Sequence, residues 1–396
     1  SVFSDSISLE YTSPEGWEKI NEFRFAPPAQ WDMKQFTLHF TLGKSAPSFS
    51  FYEEEIHKGG LNQHHPTLRI NLIGSNAYHP YSHLHFLDLE EIKIDVKVQD
   101  LKNLFLHSTN GPLDDSGPFE LLGSNPKKGS FLLIGNDEIF AKKIDSLQIG
   151  WDFYGLPTDE IGLKGYYKEY PYGIENDSFK LRISALSDHR FYPKETEPSQ
   201  VIDLFSTDSG TDAIAKSKYI DNIDLNLLKI RHKPDLRSDE LENFNNKMEL
   251  GFIKLELVSP SIGFGYEVFS QVYSQVVSKS VDMKLSKSSP QLNLEYPRDP
   301  FTPQANGIYL NYTASTSLIF SSSRSFKNEP NAKNSFTHIW PFGKQLVFNN
   351  GKANSNKLVP YLDMEGSLFI GLDNVSSKET ICLLFELERN AKWSYG

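Results

Sequence analysis

Apolar and polar residues alternate with period two along most of this chain. QFTLHFTLG (35–43), TLRINLIG (67–74), EEIKIDVKV (90–98), SFLLIG (130–135) and SLQIGW (146–151) each read as a strand. So do SFKLRISAL (178–186), GFIKLELV (251–258), GIYLNYTAS (307–315), SLFIGL (367–372) and ICLLFELE (381–388). In IKIDVKV, Ile92, Ile94, Val96 and Val98 fall on one face, and Lys93, Asp95 and Lys97 on the other. Side chains of a strand point alternately to opposite faces, so this segment reads as half-buried. Helical spacing is rare. EGWEKINEF (15–23) reads as one short helix. In GYEVFSQVYSQVVSKS (265–280), Val268, Phe269, Val272, Tyr273, Val276 and Val277 recur every three or four residues. That predicts an amphipathic helix over 265–279.

Turn residues cluster at 107–118 (HSTNGPLDDSGP), at 187–197, through the polar stretch 206–246, and in the Pro-rich 288–304. They suggest a first β domain over 1–110 and a second over 111–200. A connecting segment with a strand and a helix follows over 201–290, and a third β domain over 291–396. The expected class is mainly β, with several β-sandwich-like domains, long loops and one or two short helices.

Composition narrows the function classes. The 396 residues are 38% apolar and 13% aromatic, ample for a core. Net charge is −11, with no clustered basic patch, so no nucleic-acid partner is expected. No apolar run approaches the ~18 residues of a membrane span, so no membrane insertion is expected. The start, SVFSDSISLEYTS, has no basic residue and no apolar stretch of signal-peptide type. Both ends read as cuts in a longer protein. The single cysteine, Cys382, sits in the apolar run ICLLF and reads as a buried small hydrophobe. An intramolecular disulfide is excluded, which suits a reducing compartment during assembly.

Candidate chemistry is thin. His57, His64, His65, His79, His83 and His85 crowd one stretch, and His83-x-His85 on a strand would share a face. A zinc site needs a third and fourth ligand, and HExxH is absent, so half-buried and surface histidines around a turn are the simpler account. Glu53-Glu54-Glu55 reads as a solvated edge. Asp208, Asp212, Asp221 and Asp224 miss the spacing of a calcium loop. Asp152 and Glu160 would form a glycosidase pair only if a cleft brought them within ~5–10 Å. GxSxG and GxxxxGK[ST] are absent, and Gly263-Phe264-Gly265 reads as a turn into the helix. The sequons at Asn176, Asn311 and Asn374 read as chance. No catalytic residue, metal ligand or cofactor is therefore expected. GYYKEYPYG (165–173) is dense in tyrosine. Tyr166, Tyr167, Tyr170 and Tyr172 read first as an interface, with packing inside the domain and a sugar-binding platform as the other readings.

Several longer segments resemble, in order, those of baseplate wedge proteins of extracellular contractile injection systems, which are related to the phage baseplate J family. The most extensive is PFELLGSNPKKGSFLLIGNDEIFAKKIDSLQIGWDFYGLP (118–157), preceded by LEEIKIDVKVQDLKNLFL (89–106). YYKEYPYGIENDSFKLRISAL and ELGFIKLELVSPSIGFGYEVFSQVYSQVV follow, with Tyr266 one residue past a position where that family often has His. LNLEYPRDPFTPQANGIYLNYTAS, FTHIWPFG (with Trp340 in place of a His) and GSLFIGLDNVSSKETICLLFEL complete the series. The resemblance spans roughly residues 65–396. It implies a non-catalytic wedge subunit that contacts other wedge subunits, the sheath and the spike- and tube-proximal proteins. Such a subunit is assembled in the bacterial cytoplasm and carried on a released phage-tail-like particle. A secreted carbohydrate- or cell-surface-binding β-sandwich is the alternative.

Overall fold

The computed structural model describes residues 6–26, 36–61, 63, 65–74, 79–157, 161–207, 212–285, 295–320, 334–341 and 343–362. The protein is mainly β, with 39% strand against 13% helix, and its described helices include one of seven or more residues. It divides into two compact units. One comprises Ser1–Glu90, Phe320–Arg324 and Ser335–Gly396; the other comprises Glu91–Ile319 and Ser325–Asn334.

The first unit starts with β1 (Ile7–Ser13), β2 (Gly16–Ile20), β3 (Phe23–Ala26), β4 (Thr37–Phe40) and β5 (Leu68–Leu72). The stretch expected to be a short helix, 15–23, is instead β2 and the start of β3. Pro14 and Glu15 form a two-residue loop that pairs Ser13 with Gly16, where φ is +139°. That turn hands the chain straight into a hairpin, and tertiary pairing overrides weak helical spacing. The sheet order is β2-β1-β5. Ile7, Leu9, Tyr11 and Ile20 form its core, with Phe23, Leu38, Phe40 and Leu42 packed against them.

The second unit contains β6 (Glu91–Leu101), β7 (Phe105–Ser108), β8 (Gly111–Pro112) and β9 (Phe119–Glu120). β10 (Phe131–Gly135) and β11 (Ile144–Tyr154) flank the short helix Asp137–Ala141, which Asn136 caps by accepting from the Ile139 N–H. β12 (Lys180–Ser187), β13 (Arg190–Tyr192), β14 (Val201–Asp203), β15 (Ser217–Ile220), β16 (Phe252–Ser259) and β17 (Gln304–Ile319) follow. They make two antiparallel sheets. One runs β13-β12-β16-β10-β7-β8, with β14 also on β12; the other runs β15-β11-β17-β6, with β9 also on β17. Leu132, Ile134, Ile183 and Leu255 of the first sheet share one apolar core with Ile149, Trp151, Leu310 and Tyr312 of the second. That is a sandwich arrangement. The pairings β7·β10, β12·β16 and β11·β17 cross residues 110, 200 and 290, so all these stretches contribute to the same two sheets.

The first unit resumes with β18 (Ser335–Trp340), β19 (Gly343–Asn349) and β20 (Lys352–Ala353), a separate three-stranded sheet. The strands expected at 367–372 and 381–388, and Cys382, lie outside the described residues.

Two elements differ in detail from expectation. Ile94 and Val96 on β6 are exposed, although Val98 packs against the core. The reason is length. β11 pairs with β17 only as far as Ala314, so Ile94, opposite Thr316, lies on a two-stranded ribbon, while Val96, opposite Ala314, lies on β6 as the edge strand of the sheet. The helix runs Phe269–Leu285 rather than 265–279. Gly263 and Gly265, at φ +54° and +93°, hold a tight turn just before it and delay its start. Val272 and Val276 are its buried side.

Trp151, Leu133 and Phe140 are buried in the second unit's core; Phe131 packs on its edge, 5.1 Å below the Lys254 ammonium. Replacing Trp151 with Ala should cost about 3–5 kcal/mol of stability by the cavity it leaves. The Trp151 indole N–H has no hydrogen-bond partner among the described residues, so little polar energy should be lost with it. Denaturant unfolding measures this; a loss within experimental error would place Trp151 outside the core. Pro at Val272 should cost about 3 kcal/mol or more in the same assay by breaking the helix.

Candidate functional site

The tyrosine-rich segment is built around the short helix Gly162–Tyr166. Asn176 fixes its start: the side-chain oxygen accepts from the Leu163 N–H at 2.7 Å, and the amide donates to the Asp212 carbonyl at 2.8 Å. Opposite lies the strap 297–303, which carries Pro297, Pro300 and Pro303. Prolines have no N–H and this stretch joins no ladder, so its carbonyls need donors from elsewhere.

Tyrosine hydroxyls supply them. Tyr170 donates to the Arg298 carbonyl at 2.7 Å and Tyr166 to the Asp299 carbonyl at 2.9 Å. Tyr266 donates to the Pro300 carbonyl at 3.1 Å. Tyr167 accepts from the Phe301 N–H at 3.0 Å and donates to the Phe264 carbonyl at 2.9 Å. The Leu121 N–H completes the set on the Pro303 carbonyl at 2.9 Å. Rings fill the space behind: Phe179 stacks on Phe264 at 4.2 Å, and Phe205 and Phe301 close the cluster. Burial drives the Tyr167 and Tyr170 hydroxyls far above their ordinary range, so they stay protonated donors.

This corrects the placement of the expected interface tyrosines. Tyr167 and Tyr170 are 1% and 3% exposed, and belong to the core. Tyr166 is half-buried against the same core, and Tyr172 alone of the four is well exposed, at 43%. Spacing in a sequence does not tell a tyrosine that faces solvent from one that caps a proline strap. Tyr266 was missed; the signal available was its place two residues after Phe264, whose carbonyl accepts from Tyr167 and whose ring packs near Phe301.

The other candidates disperse. His83 and His85 sit on and just after the helix Pro80–Leu84, not on a strand, so alternation does not bring their rings together. His85 stacks on Tyr81, and buried His57 contacts the carbonyls of Ser13 and Glu53. His64, Asp208 and Glu160 lie outside the described residues. Asp152 accepts from the Ser217 hydroxyl at 2.7 Å. Asp224 caps the helix Leu225–Leu228, and Asp221 accepts from Gln148. Glu54 accepts from the Tyr52 hydroxyl at 2.5 Å, which holds its carboxyl below the usual range. Among the described residues, no three His, Cys, Asp or Glu side chains are grouped to hold a metal ion. Among them also, no helix is long and apolar enough to cross a membrane. A recess of about 120 Å³ is lined by Lys233, Leu236, Glu240, Leu241, Met248, Glu249 and Leu250. That is small against the ~300–1,000 Å³ of an ordinary ligand pocket.

No protein-family model matches this chain, and no curated protein matches it.

Tyr167→Phe should destabilise the fold by roughly 1–3 kcal/mol, because the buried Phe301 N–H loses its acceptor. Tyr172→Phe should stay within about 0.5 kcal/mol in the same unfolding experiment. Equal effects would refute the clamp. Alkaline pH gives a second check. The folded-state hydroxyls of Tyr167 and Tyr170 ionise later than the ordinary value of 10.0. Their contribution is whole below that pH and is lost as pH rises above it, since the unfolded chain then releases protons that the folded chain keeps. The Tyr167→Phe, Tyr170→Phe double variant should therefore lose less stability than the wild type between pH 10.0 and higher pH.

Proposed function

We propose that this chain is a structural wedge subunit in the baseplate of a contractile injection system. In that role it contacts other wedge subunits, joins the spike- and tube-proximal proteins to the sheath, and rearranges on triggering. It is assembled in the bacterial cytoplasm and leaves on the released particle. It acts through contact, with no cofactor and no catalytic step.

One observation carries this reading. Three of the segments that resemble the wedge family meet in the tyrosine clamp. GYYKEYPYG contributes Tyr166, Tyr167 and Tyr170; GFGYEVF contributes Phe264 and Tyr266; PRDPFTPQ is the strap they hold. Tyr166, Tyr167, Tyr170, Phe264, Tyr266 and Phe301 of those motifs are occupied with satisfying backbone and filling or lining the core. A signature made of such residues describes a frame, whereas an enzyme's signature gathers reactive groups around a cleft. The long β11·β17·β6 ladder supports the same reading, since it gives the frame a stiff axis.

Deleting the chain from a producing strain should leave tubes and sheaths that fail to join into complete particles, as seen by electron microscopy. Particles purified from the unmodified strain should contain the chain in fixed proportion to the sheath. Normal, contractile particles from the deletion strain would sink the proposal. Saturable binding of a glycan by the isolated chain would move it to the secreted binding-module class.

A further inference from the structure

Among the described residues, the β2-β1-β5 sheet ends on β5, whose outer edge pairs with no other strand and carries exposed apolar side chains. The register pairs Glu10 with Arg69 and Ser8 with Asn71. The Thr12 N–H donates to the Thr67 carbonyl and the Ile73 N–H to the Ser6 carbonyl, each across a directly opposite pair. Hydrogen-bonded pairs of an antiparallel ladder recur every second residue. Thr67, Arg69, Asn71 and Ile73 therefore turn their backbone groups toward β1. Leu68, Ile70 and Leu72 turn theirs away from the sheet.

The same three residues share the core face of the sheet, opposite Tyr11, Leu9 and Ile7. Those three partners are buried, yet Leu68, Ile70 and Leu72 are 40%, 54% and 36% exposed. Phe23, Leu38, Phe40 and Leu42 cover β1 and β2 and leave β5 bare. A long apolar edge strand is ordinarily blunted by charge, proline or a bulge. Here Arg69, the strand's charge, lies on the other face and is taken up by Glu10 and stacked 4.0 Å over Trp17.

We propose that β5 pairs with β5 of a second copy of this chain, antiparallel about a twofold axis at Ile70. The pairing is self-complementary in three respects. First, Leu68 meets the second copy's Leu72 and Ile70 meets Ile70, so apolar faces apolar on the core side. Second, the outward N–H and C=O groups of both strands fall at the same register, giving three reciprocal hydrogen-bonded pairs. Third, on the polar face Arg69 falls opposite Asn71, so the ladder puts no like charges face to face. Pro66 has no N–H to donate and ends the ladder at one side. The result is a continuous sheet β2-β1-β5-β5-β1-β2 with one shared apolar face, an isologous contact of the kind twofold dimers use. An extended foreign peptide would satisfy the backbone equally, but nothing in its favour matches the symmetry of Leu68-Arg69-Ile70-Asn71-Leu72 about its centre. This inference does not rest on the wedge reading and fails or stands separately from it.

Seven paired residues bury less than the ~1,000 Å² of a standing complex, so the dimer should be concentration-dependent, with half-association on the order of 10–100 μM. Sedimentation velocity of the full chain across that range is the first test. Ile70→Pro removes the central outward N–H while leaving the bonds to β1, and Ile70→Lys sets two ammonium groups against each other across the axis. Both should be monomeric at concentrations where the wild type is dimeric, with unchanged far-UV circular dichroism. A crosslink gives an arm that needs no loss of function. In a Cys382→Ser background, Ile70→Cys should form a disulfide-linked dimer on mild oxidation, since opposed residues of a hydrogen-bonded pair lie within bridging range. Phe86→Cys, at another exposed position, is the control and should crosslink far more slowly. A wild type that stays monomeric throughout, or Ile70→Cys no faster than Phe86→Cys, would overturn the pairing. So would slow amide exchange of Leu68, Ile70 and Leu72 in a chain that is monomeric, which would assign the edge to a different segment or partner.

Discussion

The second unit depends on satisfying the carbonyls of a segment that cannot form a ladder. Pro297, Pro300 and Pro303 give the strap a stiff extended backbone and remove three donors, but they leave every acceptor in place. Arg298 and Asp299 face solvent while Pro297 and Phe301 are buried, so hydroxyl donors to the strap carbonyls tie a half-exposed segment to the core, at about 0.5–1.5 kcal/mol for each bond. Tyrosine suits the task because its ring fills apolar volume and its hydroxyl reaches the backbone beyond it. Tyr166, Tyr170 and Tyr266 each take one strap carbonyl, and Tyr167 receives the strap's Phe301 N–H. The strap then delivers the chain directly into β17, whose ladder with β11 orders the second sheet. Clamp and sheet are therefore one structural commitment.

The register of the first sheet is held by a different device. Arg182 on β12 lies directly opposite Glu256 on β16, and their side chains meet at 3.0 Å; Lys254, two residues back on the same strand, approaches Glu256 at 2.6 Å. Burial works to raise the Glu256 carboxyl, but hydrogen bonds from Lys254 and Arg182 outweigh it and hold the group below the usual range. A one-residue slip would move Glu256 to the other face of the strand and face it with Leu181 or Ile183. An isolated buried carboxylate is so unfavourable that the slipped sheet is excluded, even if the correct pairing adds little net stability. The cluster thus acts on the choice between sheets more than on the depth of the native well.

Among the described residues, strands were legible where alternation ran for five or more residues, because period two has few competing explanations. β5, β6, β10, β11, β12, β16 and β17 all fall where the pattern puts them. The failures have physical causes. Residues 15–23 carry Trp17 and Ile20 at a spacing that a helix also allows, and only the Pro14-Glu15 turn and the pairing with β1 decide for strand. Turn-rich stretches looked like domain limits because a turn within a sheet and a linker between domains use the same residues. Pairing partners more than a hundred residues apart, such as β11 and β17, carry no local mark. The tyrosines failed for a related reason. Their residue type signalled a contact, and the contact exists, but its partner is a segment of the same chain some 130 residues later.

Tyr167 is attractive as an interface anchor for the same properties that make it a core residue: a large ring, few rotamers and one polar tip. The residues with real surface to offer are plainer. Leu68, Ile70 and Leu72 carry no polar tip and gave no functional signal in the sequence, where their alternation reads as an ordinary half-buried strand. What sets them apart is position in the sheet: the face they lie on is covered over β1 and β2 and stops short of them, and their backbone groups point outward. Edge or centre is decided by which strands pair, and that depends on the whole topology. A surface made for contact is therefore least visible in sequence when it consists of β edge, because an edge strand and a central strand can have the same alternation.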